Sequence, residues 1–166
     1  MRTTLLLAED DPDDRILVKD ALEEGCLAVD LRSVEDGEEL MDYLHHRGRY
    51  ADLDESPYPS LILLDLKMPR KSGYQALEEI KEDPDLRRIP VVVLTTSKAE
   101  EDIVRAYESG ANSFIIKPTN FSALVEAIRL WEDTGTKSSR FHREGSSVRW
   151  MRRATLFREL TRTKLY

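Results

Sequence analysis

An aspartate closes a run of large apolar side chains in Ser60-Leu61-Ile62-Leu63-Leu64-Asp65. Four consecutive apolar residues read as a strand buried on both faces, the kind found inside a parallel sheet. A carboxylate at the end of such a strand is costly unless the strand's carboxyl end opens onto a ligand site; the competing reading is a cap for the turn that follows. Other short apolar runs end in comparable groups: Glu9 and Asp10 after the first, Thr95 after residues 90–94, and Lys117 after residues 112–116. Three carboxylates brought together repel, and their pKa values rise unless a cation neutralises them. An oxygen-only site without His or Cys favours Mg²⁺. A hydroxyl and an ammonium beside such a metal are the groups needed to hold phosphoryl oxygens. A carboxylate can itself be the nucleophile, forming an acyl phosphate.

The elements that must position these groups alternate along the chain. The first strand spans residues 3–8, and Asp11 caps a helix with Pro12 at its first position and Leu17, Val18, Ala21 and Leu22 on its apolar face, ended by Gly25. A second strand over 28–34 leads to Asp36-Gly37-Glu38-Glu39, a capping residue with an acid three positions on, heading a helix through Leu40, Tyr43 and Leu44. Residues 45–59 form a long polar surface loop before the Asp65 strand. Tyr74, Leu77 and Ile80 mark a third helix that stops near Pro84, and 90–95 is the fourth strand. Ser97 and Glu100 form a capping box for a helix through Ile103, Val104 and Tyr107, closed by Gly110. The fifth strand is 112–116, and Thr119 or Asn120 caps a last helix that uses Phe121, Leu124, Val125 and Ile128. Five strand–helix pairs in strict alternation imply an α/β fold: a doubly wound parallel sheet with helices on both faces and its ligands at the carboxyl edge.

Composition sets the surroundings. At 166 residues with 40% hydrophobic and 34% charged content, the chain can build one core. No apolar run nears the roughly 18 residues of a membrane span, and the amino end turns acidic instead of continuing as a signal peptide, so a cytoplasmic protein is expected. Cys26 has no partner for a disulfide or metal site and reads as a packing residue; His45, His46 and His142 read as surface residues. Charge is uneven. Residues 134–166 hold nine Lys/Arg against two Glu, and residues 1–133 hold sixteen against thirty Asp/Glu. That contrast divides the chain into an acidic globular domain, 1–133, and a basic extension, 134–166.

Glu9-Asp10, Asp65, Lys67 two residues on, Thr95 and Lys117-Pro118, in this order and spacing, resemble a response-regulator receiver domain over about residues 3–131. The resemblance implies a flavodoxin-like five-stranded sheet of order 2-1-3-4-5. It also implies Asp65 as phosphoacceptor, with Mg²⁺ bound by Glu9, Asp10, Asp65 and the backbone carbonyl of Lys67. Thr95 falls at the switch hydroxyl, and Lys117 at the lysine that precedes a usually cis proline, here Pro118. Phe114 takes the place of the switch aromatic, without the hydroxyl of the more common Tyr, and simple core packing explains it equally well. The partner implied is a sensor histidine kinase, and any catalysis is limited to self-phosphorylation from small phosphodonors and autodephosphorylation. The long loop before the third strand, Leu64-Asp65-Leu66-Lys67-Met68-Pro69 and Pro90-Val91-Val92-Val93-Leu94-Thr95-Thr96-Ser97 are similar to the subset partnered with bacterial phytochrome kinases. That subset implies a homodimer through the fourth-helix/fifth-helix face.

Competing classes make different demands. A haloacid-dehalogenase-type phosphatase needs a second Asp two residues after the nucleophile, where Lys67 stands. A dinucleotide enzyme needs a Gly-rich turn after the first strand, and Glu9-Asp10-Asp11-Pro12 is hostile to pyrophosphate. About 35 residues after the last helix leave no space for a DNA-binding effector domain, so a single-domain regulator is expected. The basic extension, with Trp150, Met151, Leu156, Phe157 and Leu160, suits nucleic acid, an anionic membrane surface or docking on the acidic domain. It suits equally a disordered or dimer-stabilising segment.

Overall fold

Each apolar run becomes a strand of one parallel sheet. The computed structural model describes residues 3–25, 28–52, 56–118 and 120–135, with side chains up to Ile128. Cys26, Thr119 and the extension from residue 136, His142 included, lie outside the described residues. The strands are β1 (Thr3–Ala8), β2 (Val29–Val34), β3 (Leu61–Leu64), β4 (Val91–Thr95) and β5 (Ser113–Ile116). They alternate with α1 (Pro12–Glu24), α2 (Gly37–Leu44), α3 (Gly73–Glu82), α4 (Glu100–Glu108) and α5 (Phe121–Gly135). The sheet order is β2-β1-β3-β4-β5, and every neighbouring pair is parallel.

The period of two along each strand separates two apolar layers. Leu6, Ala8, Ile62, Leu64, Val91, Val93 and Phe114 pack with Leu40 and Leu44 of α2, Leu77 and Ile80 of α3 and Ala106 of α4. On the opposite face Leu63, Leu94 and Ile115 meet Leu22 of α1 and Leu124 and Ile128 of α5. All four residues of β3 are buried, as the run in sequence requires. Each such side chain contributes about 1.5–3 kcal/mol of apolar transfer free energy, so register is strongly fixed. Four apolar side chains named on helices are exposed instead: Val104 (44%) and Tyr107 (38%) of α4, and Leu17 (43%) of α1 and Phe121 (40%) of α5 on the α1/α5 side of the sheet. Val18, Ala21, Leu22, Leu124, Val125 and Ile128 suffice to cover the sheet on that side.

Helix starts follow their caps, with one correction. The Asp11 carboxylate accepts from the backbone N–H groups of Asp13 and Asp14, with Pro12 at the first helical position. Asp36 accepts from the Glu39 N–H, although the Glu39 side chain reaches Glu35 N instead of closing a box on Asp36. Ser72 and Gln75 form a full capping box at α3. The Asn120 side chain accepts from the Ala123 N–H. The box expected from Ser97 and Glu100 does not form. The helix starts two residues later than the box requires: Ala99 stands at its cap, and the Ser97 hydroxyl accepts from the Ala99 N–H at 3.4 Å and donates to Asp102.

Among its described residues, the loop after α2 contains one 3-10 turn, at Gly48–Tyr50. The Tyr43 hydroxyl donates to the Pro57 carbonyl at 2.9 Å, and His46 Nε2 lies 2.9 Å from the Ser56 carbonyl. His46, expected at the surface, is therefore half-buried and ties the loop down.

Candidate functional site at the carboxyl edge of the sheet

The sheet continues its backbone ladder one step beyond the strands, and that step places the site. Glu9 N donates to Val34 O at 3.0 Å, Asp65 N to Ala8 O at 3.0 Å, and Lys117 N to Thr95 O at 2.8 Å. The residues that carry chemistry are thus held by the same hydrogen bonds that hold the fold. A second constraint acts at α3. A Cβ at Gly73 would overlap the Asp65 carbonyl oxygen and the Leu66 Cα, so only glycine lets this helix start against the end of β3. Gly73 N donates to Leu66 O at 3.0 Å.

Glu9, Asp10 and Asp65 each present a carboxylate oxygen, and these oxygens lie within 4.8 Å of one another. Glu9 is 1% exposed and Asp65 8%, while Asp10 faces solvent. Lys117 Nζ hydrogen-bonds to Glu9 Oε2, lies 2.8 Å from Asp14 Oδ2 and is 3.6 Å from Asp65 Oδ2. Burial pushes Glu9 from 4.5 up to about 7, with Asp65's charge adding to it and the hydrogen bond from Lys117 opposing it. Burial works against the Lys117 ammonium too. The hydrogen bonds to Asp14 and Glu9, with the charge of Asp65, outweigh it and hold the group above its ordinary range.

Thr95 is wholly buried, and its hydroxyl accepts from Ser97 N at 3.4 Å. Lys67 N lies 3.4 Å from Asp65 Oδ1, so the backbone two residues after Asp65 turns around the carboxylate, while the Lys67 side chain is exposed. Phe114 is buried on β5. The Lys117–Pro118 bond is trans, as is every described peptide bond, where the resemblance implied cis.

Four supporting residues carry no site role in the sequence reading, where Tyr74 enters only as a helix marker. Asp14 holds Lys117. Arg15 Nη1 donates to the Glu9 carbonyl at 2.7 Å and the Asp10 carbonyl at 3.1 Å, fixing the acidic loop. Arg70, in the left-handed region at φ 61°, pairs through Nε with the buried Asp36 carboxylate at 2.8 Å and so anchors the loop after Asp65 to α2. The Tyr74 hydroxyl donates to Asp102 Oδ1 at 2.9 Å, joining α3 to α4 and, through Ser97, to the segment after Thr95. Only Asp14 carried any sequence signal, its place in the acidic run after β1; the other contacts span 5 to 34 residues of chain.

The donor set fits a hard divalent cation. Four carboxylates, Glu9, Asp10, Asp14 and Asp65, crowd one edge, and the single Lys117 ammonium leaves negative charge in excess. Oxygen-only ligands of this kind suit Mg²⁺ or Mn²⁺ rather than zinc or copper.

A doubly wound sheet of order 2-1-3-4-5 with acids, a buried hydroxyl and a lysine at its carboxyl edge is a flavodoxin-like fold whose edge suits a divalent cation. Residues 5–129 match the response regulator receiver domain, and the chain belongs to that family. It is 40% identical over 136 residues to the response regulator Rcp1 of Synechocystis, spanning 80% of this chain and 90% of that protein. The crystal structure of the phosphorylated cyanobacterial phytochrome response regulator RcpA is 39% identical with a TM-score of 0.76, covering 84% of this chain and 97% of that one. The Mn²⁺-bound form of Rcp1 is 38% identical with a TM-score of 0.74, covering 85% and 99%. The chain is a response regulator of two-component signalling. The phosphatase and dinucleotide readings are not favoured. Among the described residues no helix is long and apolar enough to cross a membrane.

Proposed function

We propose that Asp65 is the phosphoacceptor and that Glu9, Asp10 and Asp65, with the Lys67 carbonyl, hold Mg²⁺. The observation that carries this reading is the convergence of the three carboxylates within 4.8 Å, with Lys117 Nζ 3.6 Å from Asp65 Oδ2. An Asp65 carboxylate oxygen attacks the phosphorus of a phosphohistidine; the P–N bond breaks and its electron pair returns to the imidazole. Lys117 and the Thr95 hydroxyl receive the charged phosphoryl oxygens, Lys117 at once and Thr95 after the segment that follows it moves inward. Mg²⁺, held by Glu9, Asp10, Asp65 and the Lys67 carbonyl, would supply charge neutralisation for the transferred group. The acyl phosphate adds close to two negative charges at this edge, and Phe114 repacks into the space that Thr95 leaves.

The phosphodonor is a sensor histidine kinase of the phytochrome type, a choice supported by the likeness to RcpA and Rcp1. The output is a protein-interaction surface on α4, β5 and α5, where Val104 and Tyr107 are 44% and 38% exposed and offer a contact for a second copy of the chain. Residues 1–133 act as the receiver, in the cytoplasm where such kinases draw on ATP, and 134–166 form a separate basic extension. The test is incubation with acetyl phosphate and Mg²⁺. Wild type gains one phosphoryl group by intact mass and Asp65→Asn gains none; equal labelling of the two sinks the assignment.

A further inference from the structure

The ammonium of Lys117 is shared among three carboxylates, and they are not equivalent. Glu9 belongs to the group that converges for a cation, and so does Asp65. Asp14 does not, yet its Oδ2 lies 2.8 Å from Lys117 Nζ. The two Glu9 oxygens are already engaged, Oε1 by Asp11 N at 3.2 Å and Oε2 by Lys117. A carboxylate that ligates a divalent cation has less charge to offer a neighbouring ammonium. Asp14 is then the acid that still holds Lys117 beside Asp65.

The placement of Asp14 is itself fixed. Its backbone N–H lies 3.4 Å from the Asp11 cap oxygen. Arg15, the next residue, staples the first turn of α1 to the carbonyls of Glu9 and Asp10. The pair is largely shielded, with the Lys117 side chain 11% exposed and that of Asp14 31%. A lysine has four rotatable bonds, and without a second anchor its head group samples many positions away from the reacting oxygen.

We propose that Asp14 is a positioning residue for phosphoryl transfer: it holds the Lys117 ammonium at Asp65 once Glu9 is engaged by the cation. This rests on the assignment of Asp65 as phosphoacceptor. The same tie acts after transfer, keeping Lys117 against the phosphoryl oxygens.

The test is a double-mutant cycle on the full chain, with phosphorylation by acetyl phosphate at saturating Mg²⁺ followed by intact mass. Asp14→Ala and the isosteric Asp14→Asn are combined with Lys117→Ala, and thermal melting checks that each variant is folded. Asp14→Ala is expected to slow phosphorylation about five- to tenfold, in the range that lost positioning gives. Asp14→Asn, which keeps an oxygen acceptor, falls between it and wild type, and Asp14→Glu recovers part of the rate. In the Lys117→Ala background the Asp14 substitutions change nothing further, because the group they position is gone. An unchanged rate in Asp14→Ala overturns the proposal, and so does an equal slowing with and without Lys117, which a merely structural role would give. If wild type itself is unlabelled, the phosphoacceptor assignment falls and this proposal with it.

Discussion

At the scale of single residues, Glu9 links the site to stability. Its carboxyl titrates near 4.5 when unfolded and near 7 when folded. Between those values the folded state binds the extra proton, so Glu9's contribution is present at acid pH and lost as pH rises through about 7. With cation chelated, wild type is expected to lose about 1–3 kcal/mol of unfolding free energy between about pH 5 and pH 7.5 relative to Glu9→Gln. Saturating Mg²⁺, which favours the ionised carboxylate, flattens that difference. Urea titrations at the two pH values decide the matter, and parallel behaviour of the two proteins would contradict the cost assigned to Glu9. Glu9, Asp10, Asp65, Thr95 and Lys117 were legible in the sequence because each follows a short apolar run, and a parallel sheet sends all such ends to one edge. Asp14 was not. An acid in the first turn of a helix reads as ordinary dipole complementarity, and its partner Lys117 lies 103 residues away.

At the scale of elements, the junction between β3 and α3 is the least forgiving part of the site. Gly73→Ala places a methyl group against the Asp65 carbonyl and the Leu66 Cα, backbone atoms that cannot turn aside. A loss of about 2 kcal/mol or more is expected, together with slower phosphorylation, because the overlap can be relieved only by moving α3 or the Asp65 turn. Near-wild-type chemical denaturation would show that the helix start adjusts freely. Strands and their order were readable from apolar runs and strict alternation, and so were the Asp11 and Asp36 caps. The β4–α4 connection was not. The spacing of Ser97 and Glu100 fits a capping box, but Asp102, which also bonds Tyr74 from α3, takes the serine hydroxyl. Asp102 lies only five residues from Ser97, and the Tyr74 hydroxyl from α3 holds it there, so a different local contact replaced the box. Ser72 and Gln75 carry the same spacing and do form the box, since Gln75 turns back to Ser72 N at 3.0 Å.

At the scale of the whole molecule, the site and the α4–β5–α5 face are joined by short covalent steps. Thr95 ends β4, Ser97 stands two residues on and bonds Asp102 inside α4, and Lys117 directly follows β5, four positions before α5 begins at Phe121. A charge gained at Asp65 therefore acts on the two connections that lead into the face bearing Val104 and Tyr107. The basic composition of 134–166 sets that segment apart from the acidic receiver, and sequence periodicity gave it no clean apolar stripe to assign. The central claim is that the covalent change falls on Asp65 and nowhere else. The most direct measurement treats the acetyl phosphate-labelled protein with borohydride, which reduces an aspartyl phosphate to homoserine, and maps the product by peptide mass. Homoserine at position 65, and its disappearance when Mg²⁺ is chelated before labelling, is the result expected; homoserine at Asp10 or Asp14 with Asp65 intact would contradict the account.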